Sequence, residues 1–153
     1  NIMNTELITL ETRDLGTAEI TKDSIITFPR GIYAFEEERQ FVVLSPLGEG
    51  VYPMWLQSVE KKSLCFIVYN PFDIIPDYNV DLDEEDREII SYEDGDELCL
   101  VVIASIPGGE FKKTTVNMKS PIVVNKTKMT ATQIILDEDY EIRYPLFNEG
   151  EDD

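Results

Sequence analysis

The chain has 153 residues, 42% of them hydrophobic, and its 13 basic and 31 acidic residues give a formal net charge of −18. This length suits one domain with a buried core, so residues 1–153 are predicted to form a single domain with flexible ends at 1–5 and 148–153. The charge argues against nucleic acid and membranes as partners, because both repel a strongly acidic protein. No apolar run reaches the roughly 20 residues of a transmembrane helix, and residues 1–5 lack a signal-peptide pattern, so a cytoplasmic location is expected.

Most of the chain is predicted to be β-structure. Short segments alternate apolar and polar residues or run apolar, contain many β-branched and aromatic types, and are separated by Gly, Pro and Asn-Pro turns. In chain order the predicted strands are 6–12, 16–21, 24–28, 40–45, 52–59, 64–69, 97–106, 113–118, 121–125 and 132–136. Short strands with close turns favour an all-β, mainly antiparallel sheet that closes into a barrel or folds into a sandwich.

One short helix is predicted to interrupt the strands, near residues 83–90. The segment lacks alternation, Asp83 is a suitable N-cap, and the acids that follow it favour the positive end of the helix dipole. The helix is expected to pack against the sheet through Leu82, Ile89 and Ile90.

The residues that usually carry catalysis are scarce. The chain has no histidine, which removes the commonest general base and most transition-metal sites, and it has no Gly-rich phosphate loop. Cys65 and Cys99 lie in apolar runs and are expected to be reduced core residues. The acids at 81–88 fail as a calcium loop, because Asp86 stands where glycine is needed and Tyr92 where glutamate is needed. We therefore expect no cofactor, no metal and no enzymatic activity, with a paired-carboxylate enzyme as a weak alternative.

The acidic residues are concentrated in one part of the chain. Residues 73–97 contain twelve acids and a single base, Arg87, whereas residues 110–128 contain five lysines and one acid. This pattern predicts an acidic pole around the short helix, either as a solvated face or as a surface for a basic partner. Crowding is expected to raise the pKa of some of these carboxyl groups.

An ordered set of motifs resembles the FliW family of flagellar assembly factors. The resemblance spans roughly residues 6–147, and its motifs are ITFPRGIYAFE at 26–36, LQSVE at 56–60, NPF at 70–72, PDY at 76–78, TVN at 115–117, PIVVN at 121–125 and YEIRYPL at 140–146. The chain departs from the family at Tyr33-Ala34, where Pro-Gly is more usual.

The resemblance implies a cytoplasmic protein with a small closed or partly open β-barrel. Members of the family bind flagellin before its export. When flagellin has been secreted, the freed protein binds CsrA, a dimeric RNA-binding repressor, and stops it from blocking flagellin translation. Inhibition in the family is described as allosteric, and the free protein is expected to be a monomer.

The contact surface is predicted on physical grounds to lie between Asn70 and the short helix. Aromatic side chains on a loop stiffened by prolines make good interface anchors, and the acids that follow suit a basic partner. The predicted partner-binding residues are Phe72, Asp77, Tyr78, Asp81, Asp83, Glu84, Glu85 and Glu88. Two alternatives stay open: the two rings cap the end of the barrel, or the acids mimic RNA and occupy the RNA-binding face of CsrA directly.

Overall fold

The computed structural model describes residues 5–147, and apart from Thr5 the predicted flexible ends lie outside them. One α-helix, α1 (Glu84–Ile89), follows the sixth strand. The strands in chain order are β1 (Leu7–Glu11), β2 (Thr17–Thr21), β3 (Ile26–Thr27), β4 (Gln40–Leu44), β5 (Met54–Ser58), β6 (Cys65–Tyr69), β7 (Leu98–Ser105), β8 (Thr115–Val116), β9 (Ile122–Asn125), β10 (Thr130–Gln133) and β11 (Tyr144–Pro145). None of the helices in this part of the chain is long and apolar enough to cross a membrane.

Seven of these strands close into a barrel. The order around it is β7, β6, β5, β4, β3, β10 and β9, and β9 pairs back onto β7. All neighbours are antiparallel except β3 and β10, which meet in parallel at Thr27 and Thr130. The pair β8–β11 extends the sheet from β7, while β1 and β2 form a separate hairpin. The predicted all-β, mainly antiparallel barrel with one short helix is confirmed, and the barrel is closed.

Both faces of the barrel wall are buried along β7 and β9. Val101, Ile122 and Val124 point into the barrel interior, where they pack with Phe28 and Phe41. Their neighbours in sequence point outward into a second apolar cluster, which holds Val102, Val123, Met118, Tyr78 and Ile90. A strand buried on both faces has a continuous apolar run rather than an alternating one, which explains the sequence of β7. The second cluster is the base on which α1 and its preceding connection rest.

The structure shortens several predicted strands and adds one. The predicted strand 113–118 retains only Thr115–Val116, because a 3-10 turn at Phe111–Lys113 precedes it and a bend at 118–120 follows it. At this bend the side-chain oxygen of Asn117 accepts from the backbone N–H groups of Lys119 and Ser120. The prediction missed β11, since two residues are too few to show a period.

The two cysteines are free thiols within the sheet. Cys65 is buried, and burial raises the pKa of its thiol to about 11. Cys99 is half-buried, and burial raises its pKa as well. Both thiols therefore stay protonated near neutral pH, where the thiolate is the reactive form.

Candidate protein-binding surface

A run of hydrogen-bonded turns joins β6 to the segment before α1. The side-chain oxygen of Asn70 accepts from the N–H of Phe72 at 3.0 Å, and Pro71 occupies the first position of the 3-10 turn that follows. The N–H of Ile75 then donates to the carbonyl of Pro71, and that of Tyr78 to the carbonyl of Ile75, both at 2.9 Å. These bonds hold Phe72 in place, and the residue is 43% exposed.

Tyr78 does not present its ring to a partner, so that prediction is wrong. The residue is only 5% exposed, and its hydroxyl donates to the carbonyl of Met118 at 2.5 Å. Its ring packs 4.7 Å from that of Tyr140 and 6.0 Å from that of Phe72, measured between centroids. Burial raises the pKa of the Tyr78 hydroxyl. The Tyr78 ring packs into the apolar cluster outside the barrel, and its contact with the ring of Phe72 supports that exposed side chain.

Both ends of α1 are fixed by side chains. Asp83 is the N-cap, as predicted, and its carboxylate accepts from the N–H of Asp86 at 2.8 Å. At the other end Ile90 is completely buried, and its carbonyl accepts from the side chains of Asn125 and Thr130 at 3.0 and 2.6 Å. Carbonyls at a helix C-terminus lack partners within the helix, so these two bonds anchor α1 to β9 and β10.

The outer side of α1 carries a continuous set of exposed acids. We call this set the acidic helix face; it consists of Asp81, Asp83, Glu84, Glu85 and Glu88, and Asp77 is exposed just before it. Among the ion pairs between described residues, one involves this face, and it joins Glu85 to Arg30. Asp86 lies half-buried behind it, and burial, followed by the nearby Asp83, raises the pKa of its carboxyl group. Burial is the larger of these causes for Asp86, and the crowding of acids adds to it through Asp83.

The acids that follow α1 are in a different environment. We call residues 93–97 the acidic turn. The ammonium group of Lys128 lies 2.5 Å from the carboxylate of Glu93 and 2.9 Å from that of Asp96, while Lys126 pairs with Glu97 at 3.2 Å. Hydrogen bonds from Lys128, Asn125 and the backbone of Glu93 lower the pKa of Asp96 to about 2. The predicted separation of acidic and basic segments is thus wrong here, because the β9–β10 turn places two lysines against these acids.

The loop between β3 and β4 borders the acidic helix face and was missed as part of the site. Arg30 reaches α1 through its ion pair with Glu85, and this carboxylate raises the pKa of the Arg30 guanidinium. Tyr33 in the same loop is 52% exposed. Its position within the ITFPRGIYAFE motif was the available signal, but proximity to residue 85 is not visible in the sequence.

Comparisons with known proteins agree on one family. The sequence profile of the family described as FliW protein matches residues 9–146. The flagellar assembly factor FliW of Caldicellulosiruptor saccharolyticus is 40% identical over 142 residues, which cover 90% of both chains. That of Bacillus licheniformis is 38% identical over 142 residues, which cover 92% of this chain and 98% of the relative.

A solved structure gives the same result for the fold. The crystal structure of a flagellar assembly factor FliW superposes with a TM-score of 0.83 at 35% sequence identity, and the match covers 93% of this chain and 99% of that one. These descriptions name an assembly factor and no enzymatic activity. The chain belongs to the FliW family of flagellar assembly factors.

Proposed function

We propose that this protein acts in the cytoplasm by binding flagellin before export, and that it binds CsrA once flagellin has left. In this proposal it antagonises CsrA allosterically and so relieves the repression of flagellin translation. Membership of the FliW family supports the proposal. The structural observation that carries it is the acidic helix face, which is exposed and, among the described residues, is paired with a cation only at Glu85.

The proposed CsrA contact rests on complementary charge. A protein that binds RNA needs basic surface to neutralise phosphates, and an acidic surface attracts it over several ångströms. The side chain of Phe72, exposed and held by its turn, supplies an apolar anchor on the connection that leads to this face. Charges at the rim of an interface act mainly on the association rate, whereas buried anchors act mainly on dissociation.

Charge reversal on α1 tests the contact. Replacing Glu84, Glu85 and Glu88 together by lysine should slow association with CsrA at least tenfold at low salt and flatten its salt dependence. Binding kinetics at several salt concentrations measure both effects. The matched control reverses three exposed acids elsewhere, Glu19, Glu49 and Asp137, and so changes the net charge equally.

The control separates local charge from total charge. If both triple variants are folded and slow association equally, only the net charge matters and the acidic helix face is not the contact. If neither changes the rate or the salt slope, the contact lies elsewhere. Circular dichroism verifies that the two variants keep the β-dominated spectrum of the wild type.

A second candidate function is direct mimicry of RNA. The exposed row of carboxylates on α1 also suits a protein that occupies the RNA-binding face of CsrA itself. A mimic excludes RNA from CsrA completely, whereas an allosteric antagonist forms a transient ternary complex with both. Rapid mixing of this protein with preformed CsrA–RNA complexes distinguishes them, because only an antagonist bound beside the RNA accelerates RNA dissociation.

A further inference from the structure

An open groove lies between the β8–β11 pair and the turn at 71–74 that carries Phe72. Its volume is about 1180 Å³, and its lining includes the apolar side chains of Ile74, Leu146 and Phe147. The rings of Phe147 and Phe111 pack against each other with their centroids 4.8 Å apart, and Phe111 is 56% exposed. An exposed apolar surface of this kind is typical of a place that another segment of protein covers.

One end of the groove is cationic. Lys112 and Lys113 line it there, and the adjacent Thr114 accepts at its carbonyl from the N–H of Leu146 at 3.0 Å. The pairing of β8 with β11 therefore places the two lysines beside Phe147, the last described residue. Lys113 pairs with Glu110 at 2.9 Å, but both side chains are more than half exposed, so this surface pair is weak and leaves Lys113 able to bind a second carboxylate.

The acids in the lining belong to other parts of the groove. Asp73 lies on the opposite wall, in the turn at 71–74. Glu141 lies at the other end of the β8–β11 pair, where its carbonyl accepts from the N–H of Met118 at 3.0 Å. The positive charge is thus concentrated at the end where the chain continues beyond Phe147.

The continuation of the chain is acidic. Residues 148–153 lie outside the described residues, and their sequence, Asn-Glu-Gly-Glu-Asp-Asp, has four acids and no base. A chain spans at most about 3.5 Å per residue, so the Cα of Glu149 lies within about 7 Å of that of Phe147 in any conformation. Because this segment is joined directly to the groove, it meets the two lysines at a high effective concentration, and weak ion pairs are then sufficient to hold it.

We propose that residues 148–153 fold back over this groove and cover it, with their carboxylates paired to Lys112 and Lys113. Complementary charge supports this occupant, because the two lysines attract the four acids while most of a chain with a net charge of −18 repels them. The cover is sensitive to salt, since ion pairs between exposed groups are screened. It hides the apolar floor from other proteins, and it does not depend on the proposed function.

The first experiment neutralises the acidic segment in the full chain. The variant combines Glu149→Gln, Glu151→Gln, Asp152→Asn and Asp153→Asn, and its amide chemical shifts are compared with those of the wild type. The amides of Lys112, Lys113 and Tyr144 should shift, because the cover is released from the groove. Raising the salt to about 0.5 M should move the same amides in the wild type and leave them unmoved in the variant, since the screening length then falls to about 4 Å.

A matched control removes four exposed acids elsewhere. It combines Glu19→Gln, Glu49→Gln, Asp94→Asn and Asp137→Asn, so the net charge changes by the same amount. The amides that line the groove should keep their wild-type shifts in this control. Circular dichroism verifies that both variants are folded.

The second experiment removes the lysines and measures exposure of the apolar floor. Lys112→Gln with Lys113→Gln should increase the binding of the uncharged dye Nile red, as should the neutralised acidic segment. The matched control, Lys61→Gln with Lys62→Gln, also changes two adjacent lysines of which one pairs with a glutamate, and it should bind the dye like the wild type. Combining the lysine and acid substitutions should add nothing to either set alone, because both break the same contact.

Each outcome decides the proposal. Amides of the groove that keep their shifts when the acidic segment is neutralised, or that move equally in the control, would overturn it. Shifts that depend on protein concentration would show that a second copy covers the groove, which also overturns it. An additive increase in Nile red binding would mean that the lysines and the acids act separately, so the segment would not be held by Lys112 and Lys113.

Discussion

The acidic helix face and the acidic turn look alike in the sequence but differ in the folded protein. The exposed acids of α1 meet one cation, Arg30, among the described residues. Three of the four acids of the turn at 93–97 are paired with Lys126 and Lys128, which the β9–β10 connection places opposite them; the paired acids are Glu93, Asp96 and Glu97. A run of acids in a sequence therefore predicts a negative surface that a partner can bind only where the fold brings no lysine into ion pairs with those acids.

Because of this difference, we expect the paired acids of the turn to stabilise the fold and the exposed acids of α1 to serve binding. One acid of the turn, Asp96, helps to hold the end of α1 to β9, because it accepts a hydrogen bond from Asn125, whose side chain also donates to the carbonyl of Ile90. Carboxylates without such partners add little to stability, since water solvates them equally well in the unfolded chain. Their charge is instead available to a partner. The following predictions test this division, from the largest expected effect to the smallest.

Replacing Asn125 by alanine should cause the largest loss. Asn125 is completely buried; its amide donates to Ile90 and Asp96, and its oxygen accepts from two backbone N–H groups of the next turn. Removal leaves buried polar groups without partners, so the free energy of unfolding should fall by about 3 kcal/mol. Denaturant titration measures it. The control replaces the exposed Asn79 by alanine and should change the free energy of unfolding by less than about 0.5 kcal/mol. If Asn125→Ala caused an equally small change, the turn would not anchor α1.

The two acidic regions should also respond to acid in opposite ways. The pKa of Asp96 is about 2 in the folded protein, against about 3.9 in an unfolded chain, so the folded state binds fewer protons between these values. Its stabilising contribution is complete above about pH 4 and is lost as the pH falls toward 2. Asp86 behaves oppositely: its raised pKa means that protonation on acidification favours the folded state.

The Asp96→Asn variant isolates the first of these effects. It should be less stable than the wild type at pH 7 but should lose less stability between pH 4 and pH 3, as measured by urea midpoints. Asp94→Asn serves as the control, because Asp94 forms no hydrogen bond or ion pair with the described residues. A wild-type profile that does not fall in this window, or an unchanged profile for Asp96→Asn, would contradict the role assigned to Asp96.

Local features of the fold could be predicted from the sequence, while distant pairings could not. The Asp83 cap is readable because its partner is three residues away. The apolar run of β6 predicts a strand because β-branched and aromatic residues dominate it. Tyr78 was misjudged because its hydroxyl partner lies 40 residues away, at Met118. The pairing of β11 with β8 has no sequence signature either, since it involves only two residues of each strand.

The candidate site follows the same rule. The acids on α1 were predicted because a net charge is counted directly from the sequence. The sequence does not show which acids remain unpaired and open to a partner. Glu93 and Glu97 are paired with Lys128 and Lys126, which lie about 30 positions further along the chain.

The smallest expected effect compares two neutralised pairs of glutamates. Glu93→Gln with Glu97→Gln removes two partly exposed ion pairs and should lower the free energy of unfolding by about 0.5–1 kcal/mol in total. Glu84→Gln with Glu88→Gln removes a like-charge pair one helical turn apart, so stability should stay equal or rise by about 0.3 kcal/mol. Both double variants change the net charge by the same amount, so total charge cannot explain a difference. Urea titration at low and high salt measures it, and the difference should shrink at high salt because exposed charges are screened. If the two variants were equally stable at low salt, the ion pairs of the acidic turn would contribute nothing beyond solvation, and its acids would be as available to a partner as those on α1.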